Sequence, residues 1–546
     1  MCALNNGVMS VPAPQNENIL GYGPGSPEKK EVKAALQELM AEQFEIPLII
    51  GGREVKTGNL GKVVCPHDHG KVLATYHKAG KEEVQLAIES ALSAQKMWQT
   101  LPWEQRLAIF LTAAELIATR YRAKLNAGAM LAGGKTVFQA EIDAACELID
   151  FLRFNAGYAR ELYAKQPQSS QGVWNYTQYR ALEGFVFAVT PFNFTAIAGN
   201  LPSAPAMMGN TVVWKPASSL VYTPYFIMRI LEEAGLPPGV INFVPGAGSQ
   251  VGDVCLADPN LAGVHFTGST RVFHQMWKTI GENIASYRSY PRIVGETGGK
   301  DFVFAHPSAE IPSLVTALVR GAFEYQGQKC SAASRAYIPQ SLWDRVKSLM
   351  LAQVGRITMG SPVDFRNFMG AVIDRSAFES ITGYIDFAKE HKDAEIIAGG
   401  NYDDTTGYFI EPTVIVATDP EFKTMVEEIF GPVLTIFVYQ DEDFVETLEL
   451  CDKTSPYALT GAFFAKDRNA ITLAMAKLEH AAGNFYINDK PTGAVVGQQP
   501  FGGGRASGTN DKAGSQANLA RWVSVRTVKE TFVPPGDFPY SFMDEE

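Results

Sequence analysis

The sequence predicts an α/β protein with two doubly wound parallel-sheet domains, the first of them Rossmann-like, and a small β-ribbon outside both. Three observations support this fold class. The chain has 546 residues, which is too many for a single hydrophobic core. Short apolar stretches alternate with helical patterns along most of its length. Its 49 glycines suit the tight turns that join buried parallel strands to helices.

The order of the elements sets the expected boundaries. Residues 1 to about 30 are rich in Pro, Gly and Asn, which predicts an arm lying over the surface. Residues 81–165 have helical periodicity, and residues 169–185 have the aromatic and β-branched composition of an edge ribbon. The strand pattern after residue 520 would pair with that ribbon, in its own subunit or in a neighbour's. We therefore expect a first domain at 1–166 and 186–297, a second at 298–506, and a ribbon at 167–185 and 520–546.

Composition excludes several classes of protein. The net charge of −11 argues against a nucleic-acid binder, which needs a basic face. No uninterrupted apolar run approaches the length of a membrane span. The six cysteines form no CxxC pair, which fits a reducing compartment and predicts no metal site. The first residues have neither a signal core nor an evident presequence, so we expect a cytoplasmic protein, with the mitochondrial matrix as the alternative.

Two strand-to-helix turns would suit a dinucleotide. "FVPGAGSQVG" places Gly248 in a motif close to GxGxxG, with its last glycine one position late. In "HFTGSTR", Gly268 and Ser269 open a helix whose backbone N–H groups would receive a pyrophosphate. Lys215 follows a strand in "VVWKPAS" and would reach a ribose hydroxyl, although a lone lysine is more often simply solvated. Each turn alone is equally consistent with ordinary chain reversal.

Three residues form a candidate catalytic group. Cys330 in "GQKCSAASR" lies among small polar residues beside Lys329, a cation that would lower the thiol pKa, and the residues after it could begin a helix. Taken alone, a buried structural cysteine is the more common case. Glu296 in "GETGGKD" lies in a glycine-rich turn after a strand and would activate a water. Asn193 in "PFNF" would donate to an oxyanion.

Seven motifs carry a family resemblance: "PFNF", "WKPAS", "FTGST", "GETGGKD", "GQKCSA", "EEIFGPV" and "PFGG". In this order and spacing they resemble the aldehyde dehydrogenase superfamily. Within it, "GYGPGSPEK", "AEIDAACELIDF", "FEYQGQKCSAASR" and "TGAVVGQQPFGGGRASGTNDKAG" are most similar to the Δ1-pyrroline-5-carboxylate dehydrogenases. That family oxidises L-glutamate γ-semialdehyde to L-glutamate with NAD in proline catabolism.

The resemblance implies a role for each residue. Cys330 would attack the aldehyde, Asn193 and the Cys330 backbone N–H would hold the oxyanion, and Glu296 would activate the water that hydrolyses the thioester left after hydride transfer. The first domain would bind NAD and the second would be catalytic. The implied NAD-binding residues are Phe192, Lys215, Ser218, Gly248, Gly268, Ser269 and Glu428. The implied substrate-binding residues are Glu147, Phe194, Ser331, Gly493, Ala494 and Phe501.

Three positions depart from the family pattern. Ala494 stands where members often have a serine, which would remove one donor to the substrate carboxylate. Ser218 stands where many superfamily members have a glutamate that reads the ribose 2′-hydroxyl, which weakens the case for NAD over NADP. Phe273 replaces a glycine found in many members.

Two other functions remain open at this point. In the first, coenzyme A instead of water would accept the acyl group from the thioester; the presence of Glu296 argues for water. In the second, the chain would be a scaffold without enzymatic activity. The expected partners are the small amino-acid semialdehyde, a second copy of the chain in a homodimer or higher oligomer, and a proline dehydrogenase acting upstream; no nucleic acid or membrane is expected.

Overall fold

The computed structural model describes residues 7–544, so residues 1–6 of the predicted arm and residues 545–546 of the predicted ribbon lie outside the described residues. The helices are α1 (Pro27–Ala41), α2 (Lys81–Thr100), α3 (Trp103–Leu116), α4 (Arg122–Gly133), α5 (Val137–Ala140), α6 (Leu148–Tyr163), α7 (Thr195–Met207), α8 (Tyr222–Glu233), α9 (Gly248–Ala257), α10 (Thr270–Glu282), α11 (Ile311–Phe323), α12 (Gln340–Val354), α13 (Arg375–Glu390), α14 (Lys423–Val426), α15 (Phe444–Lys453), α16 (Arg468–Lys477) and α17 (Gln516–Ala520). Short π or 3₁₀ turns occupy Ile117–Tyr121, Glu141–Glu147, Glu324–Gly327, Asp441–Asp443 and Ser541–Met543.

The strands are β1 (Phe44–Ile46), β2 (Leu48–Ile50), β3 (Arg53–Val55), β4 (Leu60–Cys65), β5 (Asp68–His77), β6 (Val173–Arg180), β7 (Phe185–Val189), β8 (Thr211–Lys215), β9 (Ile241–Phe243), β10 (Leu261–Thr267), β11 (Arg292–Glu296), β12 (Asp301–Ala305), β13 (Ala333–Pro339), β14 (Ala394–Ala398), β15 (Tyr402–Asp403), β16 (Phe409–Ile410), β17 (Thr413–Ala417), β18 (Val433–Tyr439), β19 (Tyr457–Ala458), β20 (Thr460–Phe464), β21 (Asn484–Ile487), β22 (Gly504–Arg505) and β23 (Ser524–Thr531). They alternate with the helices as the sequence predicts.

The first large sheet has the strand order β11-β10-β7-β8-β9-β2-β3. Its five strands from β11 to β9 are parallel, and β2 and β3 extend it antiparallel. Strands β8 and β10 are buried along their whole length, because helices cover both faces, which explains their nearly continuous apolar sequence. The carboxyl ends of the five parallel strands meet at one edge, where ligands bind in folds of this type.

The second large sheet has the order β14-β17-β18-β13-β12-β20-β21. All its neighbouring pairs are parallel except β14 with β17. Strand β13 begins three residues after Cys330, so the helix that we expected there is wrong. The segment is buried between β12 and β18, and its apolar residues complete the sheet instead of opening a helix. Two doubly wound sheets confirm the predicted fold class.

The predicted ribbon pairs within this chain. Strands β6 and β23 are antiparallel over eight residues, from Ser524 opposite Arg180 to Thr531 opposite Val173. Phe185, which the predicted boundary assigns to the ribbon, is the first residue of β7 in the first sheet. Among residues 7–544, no helix has the length and apolar character needed to cross a membrane.

Candidate active site

A cavity of about 580 Å³ lies where the carboxyl edge of the first sheet faces the second domain. It brings together eight of the residues singled out in the sequence: Glu147, Phe194, Glu296, Cys330, Ser331, Gly493, Ala494 and Phe501. Glu296 ends β11 of the first sheet, and Glu147 and Phe194 lie next to helices α6 and α7. Cys330 and Ser331 lie just before β13 of the second sheet, and the other three residues lie in the long loop after β21. The spatial cluster therefore joins motifs that lie up to about 350 residues apart in the sequence.

Cys330 lies in the turn between α11 and β13 and is only 8% exposed. Burial, and then the carboxylates of Glu296, Asp301 and Glu428, raise the pKa of its thiol well above the usual range. The prediction that Lys329 lowers the pKa of the Cys330 thiol is wrong. Its ammonium lies 3.4 Å from the Glu324 carboxylate and forms an ion pair with it. The thiol is therefore protonated at neutral pH, and its activation requires a group that accepts the proton.

Asn193 is held beside the nucleophile. It follows β7 in a loop whose Thr190 N–H donates to the Lys215 carbonyl at 3.1 Å. The Asn193 side chain is buried, and its Nδ2 donates to the carbonyl of Gln328, two residues before Cys330, at 3.1 Å. That contact fixes the direction of the amide, so its second N–H remains for another acceptor near the thiol.

Glu296 is the last residue of β11, the edge strand of the first sheet. Burial raises the pKa of its carboxyl group to about 8, and Lys512 partly opposes that shift. A later segment of the chain clamps the strand on its open side: Thr509 N–H donates to the Gly295 carbonyl at 2.9 Å, and Thr297 N–H donates to the Ser507 carbonyl at 3.0 Å. The side chain is thus held on a fixed backbone and lines the same cavity as Cys330.

Further polar groups line the same cavity. The Ser331 hydroxyl lies 2.8 Å from the Thr492 hydroxyl, and the next residue, Gly493, has φ of 99°, which favours glycine. Glu147 faces this region from the end of a π-helical turn. Burial, together with the nearby Asp143, raises the pKa of Glu147 well above its usual value. A cation entering here would restore the charged form of this carboxyl group.

Two aromatic residues also border the cavity. Phe194 caps the start of α7, and the ammonium of Lys135 lies 4.4 Å from its ring centroid. Phe501 is held by paired backbone hydrogen bonds with Ala513, of 3.0 and 2.8 Å. Both side chains therefore belong to the cavity wall rather than only to the core.

The support beneath Phe194 was not apparent from the sequence. Lys135 and Asp143 form a buried ion pair at 2.9 Å, and Asp143 also accepts from the backbone N–H groups of Thr195 and Ala196 at 2.9 and 2.8 Å. This carboxylate therefore fixes the first turn of α7 and the residues before it. A lysine after "AGG" and an aspartate in an apolar helix were the available signals. Lys329, Lys490 and Thr492 also line the cavity and were not assigned a role there.

The seven implied cofactor residues lie outside this cavity lining. Lys215 ends β8, its Nζ is buried, and it donates to the Pro216 carbonyl at 2.9 Å. Burial lowers the pKa of Lys215 to about 8. Ser218 donates to the Gly246 carbonyl at 3.1 Å, and Ser269 caps α10 by accepting from Val272 at 3.4 Å.

The turn before α9 needs a glycine at one position only. A Cβ at Gly246 would lie 2.9 Å from the Val251 side chain, whereas Gly248, the first residue of α9, has open space around it. Gly268 donates its N–H to the Glu296 carbonyl at 3.2 Å. Phe273 stacks on Phe266 with centroids 5.3 Å apart, so it packs into the core beside the strand ends.

The remaining two cofactor residues come together on the side of Cys330. Glu428 accepts from the Gly299 N–H at 2.9 Å, and burial raises its pKa to about 7. A Cβ at Gly298 would overlap the Glu428 carboxylate, so this approach requires glycine. Phe192 packs edge to face on Phe430, with ring centroids 5.9 Å apart. A buried ammonium, two helix N-termini and a carboxylate near the strand ends suit a dinucleotide. Among residues 7–544, no cluster of three or more potential ligands could hold a metal ion.

A thiol, a buried carboxyl group and a fixed amide beside a dinucleotide-type sheet edge define an oxidoreductase of the aldehyde dehydrogenase type. The model of the aldehyde dehydrogenase family matches residues 54–528, and the chain belongs to that family. It is 54% identical to the Δ1-pyrroline-5-carboxylate dehydrogenase, mitochondrial, of Dictyostelium discoideum, over 98% of this chain and 96% of that protein. Identity to the Homo sapiens protein of the same name is 48%, over 97% and 94% of the two chains.

Solved structures agree with these relatives. The crystal structure of the Mycobacterium tuberculosis Δ1-pyrroline-5-carboxylate dehydrogenase bound with NAD is 51% identical to this chain and has a TM-score of 0.96. The similarity covers 99% of this chain and 100% of that one. A Thermus thermophilus 1-pyrroline-5-carboxylate dehydrogenase is 34% identical with a TM-score of 0.90, over 96% and 100% of the two chains.

Proposed function

We propose that this protein oxidises L-glutamate γ-semialdehyde, the open form of Δ1-pyrroline-5-carboxylate, to L-glutamate with NAD as the hydride acceptor, in proline catabolism. One observation carries the proposal: Cys330 and Glu296 line the same cavity as Ser331, Gly493 and Glu147. The first two residues suit the chemistry of an aldehyde, and the other three suit the binding of an amino acid group. The names of its close relatives support the same substrate.

The first chemical role belongs to Cys330. The Cys330 thiol gives up its proton to water in the cavity, and the resulting thiolate attacks the aldehyde carbon. The free N–H of Asn193 and the Cys330 backbone N–H stabilise the resulting oxyanion. Lys215, Glu428 and the turns before α9 and α10 would hold NAD along the sheet edge, where it would supply the hydride acceptor. A thioester on Cys330 remains, and Glu296 takes a proton from the water that hydrolyses it.

The polar groups that line the cavity would explain selectivity. The Ser331 hydroxyl and the backbone N–H groups of Gly493 and Ala494 would donate to the substrate carboxylate, and Glu147 would accept from its ammonium. Phe194 and Phe501, which line the same cavity, would enclose the methylene chain of the substrate. A plain aliphatic aldehyde would leave these polar groups unpaired and bind less well.

The defining experiment compares kcat/KM for NADH formation with glutamate semialdehyde, succinate semialdehyde and hexanal. We expect the highest value for the first substrate by at least about tenfold, since two polar groups lose their partners with hexanal. Equal values for all three would refute the substrate while leaving family membership unaffected. Addition of coenzyme A should not raise the rate; acyl-CoA formation would favour the other acceptor.

We further propose the assembly and location. The first sheet, the second sheet and the β6–β23 ribbon support the division into a NAD-binding domain, a catalytic domain and an oligomerisation element. Trp174 and Val525 on the ribbon are 52% and 54% exposed, and Phe538 beyond it is 82% exposed, which suits contact with a second copy in a homodimer. Light scattering at micromolar concentration tests this; a monomer would refute it.

The relatives from Dictyostelium and human are named mitochondrial, which favours the matrix over the cytoplasm as the location of this protein. A proline dehydrogenase would supply the substrate.

A further inference from the structure

The N-terminal arm forms part of the cavity wall. Residues 7–26 contain no helix or strand, yet Asn16, Glu17, Asn18 and Ile19 all line the cavity that contains Cys330. The arm thus contacts the proposed substrate space directly. None of the roles assigned above involves these residues.

The arm is anchored firmly to the helices beside the cavity. Glu17 pairs with Arg122 at 3.0 Å and with Arg153 at 2.8 Å. The Leu20 N–H and the Tyr22 hydroxyl both donate to the buried carboxylate of Glu141, at 2.8 and 2.7 Å. Because these contacts lie on both sides of residues 18–19, the segment between them has a defined position.

Asn16 connects this anchored arm to the substrate loop. Its Nδ2 donates to Asp150 on α6 at 2.7 Å and to the Val496 carbonyl at 2.7 Å. Its Oδ1 accepts from the Gln498 side chain at 3.0 Å. The Asn16 side-chain amide therefore links α6 to the loop that contains Val496 and Gln498, through both its donor and its acceptor atoms.

The loop that Asn16 holds also carries Gly493 and Ala494. Within it, the Val495 N–H donates to the Gln499 side chain at 2.9 Å, and the Gln498 N–H donates to the Val495 carbonyl at 3.0 Å. The loop is thus a compact turn, and its outer half rests on Asn16. A shift at Val496 would move the backbone N–H groups two and three residues earlier.

We propose that Asn16 is a positioning residue for substrate recognition, and that the arm holds the 493–499 loop where its N–H groups receive the carboxylate of an amino acid semialdehyde. This inference rests on the proposed function and deepens it. Asn16 acts through the loop and not on the reacting carbon. Its contribution therefore concerns substrates with an amino acid end and leaves the attack of Cys330 unchanged.

The kinetic test uses Asn16→Ala, Gln498→Ala and the double variant in the full chain. We expect Asn16→Ala to raise KM for glutamate semialdehyde about five- to thirtyfold with little change in kcat, since hydrogen bonds to a carboxylate and a carbonyl are lost. KM for hexanal should stay within about twofold. The double variant should be less impaired than the product of the single effects. Asn469→Ala, on the exposed start of α16, is the matched control.

Equal losses for both aldehydes, or strictly multiplicative effects in the double variant, would overturn the positioning role. Hydrogen exchange provides a readout independent of activity: the amides of residues 495–499 should exchange faster in Asn16→Ala, and those of β20 should not. Unchanged exchange in that loop would overturn the proposal even if the enzyme used another substrate. Failure of the proposed function alone would appear in the wild-type protein, as a lack of preference for the semialdehyde.

Discussion

Replacing Glu296 by glutamine should stabilise the ligand-free protein, and the gain should grow as the pH rises. The carboxyl group is buried on β11, and its pKa of about 8 lies far above the usual 4.5. Between these two pH values the unfolded chain has lost the proton while the folded chain keeps it. The unfolded state therefore binds fewer protons, and the free energy of unfolding falls with rising pH. Glutamine removes this titration and keeps the shape of the side chain.

The size of the effect follows from the two pKa values. Each tenfold change in an equilibrium constant corresponds to about 1.4 kcal/mol. With a pKa of about 8 in the fold and 4.5 in the unfolded chain, the cost is about 1 kcal/mol at pH 5, about 3 kcal/mol at pH 7 and about 5 kcal/mol at pH 9. A domain of this size shifts its thermal midpoint by about 2 °C for each kcal/mol. We therefore expect Glu296→Gln to unfold about 6 °C higher at pH 7.

The assay is the thermal unfolding midpoint of the wild type and the variant at pH 5, 7 and 9. Glu479→Gln is the matched control, because that side chain is exposed on the surface after α16. A midpoint difference that is absent, or that does not increase with pH, would refute the assignment of a buried, largely protonated carboxyl group. A stabilised but slow enzyme would show that the position of Glu296 serves catalysis at the expense of stability.

Four further predictions concern the reaction. Cys330→Ala should abolish NADH formation while NAD still quenches protein fluorescence, and Cys451→Ala on α15 should remain active; turnover by the first variant would refute the mechanism. Glu296→Gln should give a burst of NADH followed by a slow steady state, because thioester hydrolysis loses its base; a uniform rate would remove that role. Asn193→Ala should lower kcat about 100-fold or more through loss of an oxyanion donor, and a loss below about threefold would contradict it. Alkylation of Cys330 by iodoacetamide in the ligand-free enzyme should be slow at pH 7 and should still be rising at pH 9, where an ordinary thiol is levelling off, because its pKa is raised; a rate independent of pH would contradict this.

Local sequence patterns predicted the parts of the fold that depend on them. The alternation of short apolar strands and helices predicted both parallel sheets. Because ligands bind beyond the carboxyl ends of parallel strands, the same pattern placed Lys215, Ser269 and Glu296 at one sheet edge, where the structure has them. The roles of Glu147 and Phe501 came from resemblance alone, since neither spacing nor periodicity shows which distant loop faces a given helix.

Other features depend on tertiary contacts and could not be read from sequence. The beginning of β13 looked helical in isolation, and only its burial between two strands made it extended. Lys329 looked like a free cation beside Cys330, whereas the fold pairs it with Glu324. Asn16 belongs to a polar stretch near the chain start, and its contacts are 134 and 480 residues away. Electrostatics and long-range hydrogen bonds are set by geometry that a linear pattern does not contain.

The clamp on β11 by residues 507–509 has a consequence for biosynthesis. During translation the first sheet emerges long before this segment, so β11 initially presents an open edge with no partner on its outer side. The Glu296 backbone, which forms an isolated bridge with Gly508, acquires its final setting only when nearly the whole chain has been made. Catalytic competence is therefore acquired at the end of synthesis, and a chain that stops before residue 507 would have its nucleophile without a fixed base.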